Sequence, residues 1–145
     1  MRVTIEEISR EQEEEIILRC HQVDANLWKM VSRVKALQTG IVGFRGDEIH
    51  RLTIDDIYYF EVVDSKSFFY CREAVFESRL KLYEFEEICQ GTAFFRASKS
   101  LILNADKIDF VSPSFSGRFA VTLLNQETVV VSRQYVSVLK KRMGL

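Results

Sequence analysis

From Ile41 onward the apolar residues of this chain recur at every second position in short runs, and residues with turn chemistry separate the runs. The pattern predicts strands near 41–46, 49–53, 57–63, 67–72 and 75–77. A second group follows near 94–98, 101–103, 108–112, 118–124 and 128–131. Gly46-Asp47, Asp64-Ser65, Ser112-Pro113-Ser114, Ser116-Gly117 and Asn125-Gln126 supply the turns. Strands this closely spaced predict antiparallel meanders, because a parallel crossover needs a dozen or more residues between strands. Two helices interrupt the series. One follows Ser78, with Leu80, Leu82, Tyr83, Phe85 and Ile88 at its apolar positions. The other starts at Ser132 as N-cap and packs Val136, Leu139 and Met143 inward.

The first forty residues follow a different plan. Val3 and Ile5 alternate with polar neighbours over 2–8, which predicts a half-buried strand. Ile16-Ile17-Leu18-Arg19-Cys20 predicts a second strand. Asp24 is placed to cap a helix carrying Leu27, Met30, Val31, Val34 and Leu37 at helical spacing, and Gly40 marks its stop. The expected architecture is therefore mainly β (α+β). It consists of an N-terminal strand–strand–helix extension (1–40), too small for its own core, and an antiparallel β-domain with short helices (41–145).

Composition narrows the function classes. The chain has 145 residues, enough for one core and an appendage, and 47% of them are apolar, as in folded globular proteins. No apolar run reaches the roughly 18 residues that span a bilayer, and the N-terminus lacks a signal-peptide pattern, so a cytoplasmic location is expected. Cys20, Cys71 and Cys89 are odd in number and widely spaced. They form neither a disulfide framework nor a zinc-ligand pattern with His21, so no metal or other cofactor is expected. There is no glycine-rich phosphate loop, no partner motif for His21 or His50, and no nucleophile motif, which argues against an enzyme. The net charge of −1 hides an asymmetry: residues 96–145 carry 8 basic and 3 acidic side chains, leaving 12 and 18 for residues 1–95. A basic end can face phosphates while the rest stays acidic. A solvated surface with a chance imbalance has the same composition.

The order of short motifs is more informative. Asp55-Asp56-Ile57-Tyr58-Tyr59-Phe60-Glu61 is followed by Asp64-Ser65-Lys66-Ser67-Phe68-Phe69-Tyr70 and a leucine- and glutamate-rich stretch from Leu80 to Ile88. Then come Phe94-Phe95-Arg96-Ala97-Ser98-Lys99-Ser100-Leu101-Ile102-Leu103-Asn104, Lys107-Ile108, and finally Val131-Ser132-Arg133-Gln134-Tyr135. In this order and spacing the segments resemble the LytTR family of DNA-binding domains over about residues 41–142. Many members carry histidine-arginine-serine where this chain has Ser98-Lys99-Ser100. That departure bears on which DNA sequence is read. A receiver domain, often fused upstream in the family, does not fit into forty residues, so the chain resembles a stand-alone LytTR transcriptional regulator.

The resemblance implies a β-fold that binds double-stranded promoter DNA with loops, inserting side chains into successive major grooves. The candidate DNA-binding residues are Lys66, Ser67, Arg96, Ser98, Lys99, Lys107, Arg133 and Gln134, with Arg133 first and Lys99 second for base reading. A guanidinium can bond a guanine edge bidentately, and an ammonium or hydroxyl suits phosphate or base. Without the resemblance, Lys66 and Ser67 read as ordinary turn residues, Lys99 as an exposed strand residue, and Arg133 as a first-turn helix residue. Asn104 reads as a structural turn former, and Lys140-Lys141-Arg142 as a solvated helix end. The apolar helix face from Leu27 to Leu37 suggests that the first forty residues serve as a dimerisation or regulatory element in a homodimer, with packing onto the chain's own domain as the alternative. The resemblance implies a small inhibitory membrane protein as partner. The competing reading is a protein-interaction module on the same fold that has lost DNA binding.

Overall fold

The computed structural model describes residues 1–38 and 40–145. Among the described residues ten strands form, at Ile41–Arg45 (β1), Glu48–Leu52 (β2), Ile57–Val63 (β3), Lys66–Cys71 (β4), Val75–Ser78 (β5), Phe94–Arg96 (β6), Leu101–Asn104 (β7), Ile108–Pro113 (β8), Phe119–Leu123 (β9) and Thr128–Val131 (β10). Each lies within a few residues of a run predicted from the alternation. The helices are Ala25–Gln38 (α1), Leu82–Ile88 (α2) and Val136–Arg142 (α3). All strand pairs are antiparallel. Seven strands make one sheet in the order β2-β1-β5-β4-β3-β7-β6, and three make a second in the order β10-β9-β8.

Alternation along the central strands gives the large sheet two apolar faces. Ile57, Phe60, Phe69, Phe76, Phe94 and Ile102 face α2 and gather around Phe85, which is fully buried. Tyr58, Tyr59, Phe95, Leu101 and Leu103 form the other face. They meet Val121, Leu123, Val129 and Val131 of the small sheet and Leu139 of α3. Strict period-two alternation would split Tyr58 from Tyr59. A register irregularity between Ile57 and Tyr59 in the β3–β4 pairing brings both into the second core. The layers are thus α2, large sheet, then small sheet with α3.

α2 follows Ser78 as expected. Ser78 stays in β5, buried, and its hydroxyl accepts from the Leu80 amide at 3.0 Å. Lys81 holds the N-cap position, its amide donating to the Glu84 carboxylate at 2.9 Å. Cap chemistry departs from expectation at Ser132. Ser132 precedes a 3-10 turn, Arg133–Tyr135, before α3, and makes no side-chain cap. Its hydroxyl is drawn to the Ala97 carbonyl, a tertiary partner that outcompetes a local one. Asp24 does cap α1, accepting from the Leu27 amide at 2.8 Å.

The two N-terminal strands are the main correction. Residues 2–8 and 16–20 form no strand and join no sheet, and Ile5 is 90% exposed. Alternation yields a strand only where an unpaired edge lies opposite, and no edge of the two sheets meets these segments. Leu37, assigned from sequence to the apolar face of α1, lies outside the described side chains. Among the described residues no helix is long and apolar enough to cross a membrane.

Asn104 ends β7 as a structural residue. It is 2% exposed; its amide nitrogen donates to the Ile57 carbonyl at 2.9 Å and its oxygen accepts from the Asp106 amide at 3.0 Å. Asn104→Ala leaves buried backbone groups unpaired, and the expected loss is about 1–3 kcal/mol in urea unfolding. Ile5→Ala on the exposed arm should stay within about 0.5 kcal/mol of the parent's domain stability.

Candidate nucleic-acid interface

Backbone hydrogen bonds draw three connections to one end of the domain. The β3–β4 turn places Asp64 and Ser65 at φ values of 51° and 66°. Both lie in the left-handed region, as a tight hairpin with the native strand twist demands. At the base of that hairpin the Val62 amide donates to the Ser100 carbonyl at 2.9 Å, which holds it beside the β6–β7 loop of residues 97–100. That loop is joined to the segment before α3: the Ser132 amide donates to the Ala97 carbonyl at 2.9 Å, and the Ser132 hydroxyl reaches the same oxygen at 3.3 Å.

A fourth connection, unassigned from sequence, joins them. Between β8 and β9, Ser116 and Gly117 have φ values of 59° and 75°. A Cβ at Gly117 would lie 3.0 Å from Arg133 Cδ, so this turn packs directly on the Arg133 stem. Ser98, Lys99, Ser116, Arg118, Ser132, Arg133 and Gln134 line one open cleft. None of these is acidic. Lys99, Arg118 and Arg133 are exposed, and among the described residues none of their charged groups has a hydrogen-bond or ion-pair partner.

Of the eight residues singled out from sequence, the cleft contains Ser98, Lys99, Arg133 and Gln134. Arg96 has a different task. Its Nε donates to the Ser98 carbonyl at 2.7 Å, one terminal nitrogen to the Lys99 carbonyl at 2.8 Å, and the other to Glu86 at 2.9 Å. The guanidinium therefore braces the loop that presents Lys99. Ser67 is buried, donating to the Leu80 carbonyl at 2.7 Å. Lys66 is exposed in the neighbouring hairpin, but it shares that turn with Asp64, so the local field is mixed. Lys107 lies beyond the other end of β7, with its ammonium 5.3 Å from the Tyr58 ring centre.

Arg118 and Ser116 were missed because alternation assigned Arg118 to a strand and Ser116 to a plain turn. The available signal was Ser116-Gly117-Arg118 itself, a left-handed turn that delivers a cation. One carboxylate lies beside the β6–β7 loop: Glu61 sits opposite Leu101 in the β3–β7 pairing, and burial raises its carboxyl. Burial, then the nearby Glu127 carboxylate, pushes the Tyr59 phenol far above its usual range. Glu127 follows the β9–β10 turn, at the opposite end of β9 from Arg118.

With this fold and cationic loop edge described, the relatives are informative. The family model of the LytTr DNA-binding domain matches residues 47–144. The chain belongs to that family. It is 31% identical over 99 residues to the sensory transduction protein LytT of Enterococcus faecalis, covering 68% of this chain and 41% of LytT. It is 25% identical over 139 residues to an uncharacterised HTH-type transcriptional regulator of Staphylococcus aureus, covering 94% of both chains. The solved LytTr DNA-binding domain of a Bacillus cereus protein superposes with a TM-score of 0.69 at 25% identity, covering 74% of this chain and 98% of that one.

Arg96→Ala removes the brace behind Lys99. The expected result is a stability loss of about 1–3 kcal/mol in denaturant titration and an irregular loop. Gly117→Ala imposes strain at positive φ and pushes the Arg133 stem. It should cost about 1 kcal/mol or more of stability, with a matching loss in any ligand contact that Arg133 makes.

Proposed function

We propose that this chain is a DNA-binding transcription regulator whose loops enter successive major grooves of promoter DNA. The observation that carries the reading is the convergence of Lys99, Arg118 and Arg133, from three separate connections, on a cleft with no carboxylate in its lining. Family membership and the regulator-named relative from Staphylococcus aureus support the same assignment.

The roles follow from side-chain chemistry. Arg133 projects from a 3-10 turn with its guanidinium unpaired, so it can present two parallel donors to a guanine edge. Lys99 is a mobile point charge on a braced loop, suited to a phosphate or an acceptor on a base edge. Arg118 flanks Arg133 and supplies a further phosphate contact. Ser98, Ser116 and Gln134 add neutral donors that fix register without adding charge. Lys66, on the adjacent hairpin, touches backbone beyond the cleft. Arg96 acts through the loop it holds.

The test separates base contacts from phosphate contacts. A gel-shift series with the chain's own upstream region, against random duplex, should show steep weakening with salt, because neutralised phosphates release counterions. Arg133→Ala should cost about 1–3 kcal/mol at the specific site and much less on random duplex. Lys66→Ala should weaken both alike and flatten the salt slope by about one unit. Equal losses for Arg133→Ala on both duplexes would reassign it to the backbone. Absence of salt-dependent binding to any duplex would favour a protein-interaction module instead.

A further inference from the structure

The N-terminal arm carries an aliphatic run with no cover. Ile16, Ile17 and Leu18 are 64%, 61% and 37% exposed. Glu13-Glu14-Glu15 precede them and Arg19-Cys20-His21 follow. Taken up as a strand, three consecutive aliphatics put apolar groups on both faces, which is the pattern of a strand inside a sheet.

The nearest candidate partner is the arm's own first segment, and charge opposes it. A tight turn joins the two, the Gln12 amide donating to the Ser9 carbonyl at 3.1 Å. Extending the register of that turn would set Glu7 against Glu14, Glu6 against Glu15, and Arg2 against Arg19. Like charges directly opposite are destabilising. The two segments accordingly form no ladder.

A second copy of the same segment removes the conflict. Antiparallel pairing centred on Ile17 sets Glu15 against the partner's Arg19 and Glu13 against the partner's His21, on the face where Ile17 meets its twin. The opposite face sets Ile16 against the partner's Leu18. Twofold symmetry repeats every pair, as a self-complementary interface requires. We propose that residues 13–21 pair in this way with a second copy of the chain, making it a symmetric dimer. The pairing uses none of the loop residues assigned to DNA and does not depend on that reading. Where both hold, the twofold gives two cleft edges that address two half-sites.

Sedimentation equilibrium on the full chain at micromolar concentration tests the register through charge reversal. The parent chain should sediment as a dimer. Glu15→Arg and Arg19→Glu each turn two attractive pairs into repulsive ones, and each should weaken self-association by about tenfold or more. An equimolar mixture of the two variants restores both attractions and should return to dimer mass, as should the double variant Glu15→Arg/Arg19→Glu. Circular dichroism of each variant, matching the parent, confirms an intact domain. A monomeric parent, single variants that remain dimers, or a mixture that stays monomeric would each overturn the proposal. Because the loops are untouched, binding of a single half-site by the variants is read separately.

Discussion

The arrangement rests on one backbone oxygen, the carbonyl of Ala97. Ala97 is fully buried; its carbonyl accepts both the amide and the hydroxyl of Ser132, and its amide donates to the Leu101 carbonyl at 2.9 Å. These bonds fix the β6–β7 loop to the strand end that leads into α3, and so fix the large sheet to the small one. A buried carbonyl carrying two donors leaves little freedom, because losing either exposes a polar group to an apolar interior. The side chain at 97 is a methyl, and a larger one would compete with Leu101 and Val131 for the second core. The backbone positions of the β6–β7 loop and of the segment before α3 are therefore set by main-chain hydrogen bonds.

Most of the domain was legible because its information is local. Period-two alternation located the ten strands, and the turn residues between them located their ends. Where partners decide, the pattern fell short. Tyr58 and Tyr59 share a core because of a bulge that no alternation rule contains. Ser132 has the composition of an N-cap, yet its hydroxyl bonds elsewhere. The Gly117 turn became part of the cleft through its contact with Arg133, sixteen positions later in the chain and not legible from either residue.

The N-terminal arm shows the opposite failure. Its first segment alternates apolar and polar residues, and it still makes no sheet, because a strand is a property of two segments. The arm's like charges fall opposite one another in the register that its own turn dictates. Hydrophobic pattern proposes pairings, and charge register selects among them. The same reasoning leaves α1 capped by Asp24 and regular, since a helix satisfies its hydrogen bonds within itself.

The eight cations after residue 95 divide by what they touch. Lys141 is exposed near the end of α3, and four others serve the fold. Arg96 braces the loop, Lys107 lies over Tyr58, Lys140 stands 5.7 Å from the Phe119 ring centre, and Arg142 donates to the carbonyls of Thr92 and Phe94. The arginines each bridge two backbone carbonyls, and the lysine ammonium groups stand over aromatic faces. Lys99, Arg118 and Arg133 make no such contact and share the cleft. A composition count treats all eight alike, and it was ambiguous for that reason. The distinction that matters is whether a cation has already found its partner inside the protein.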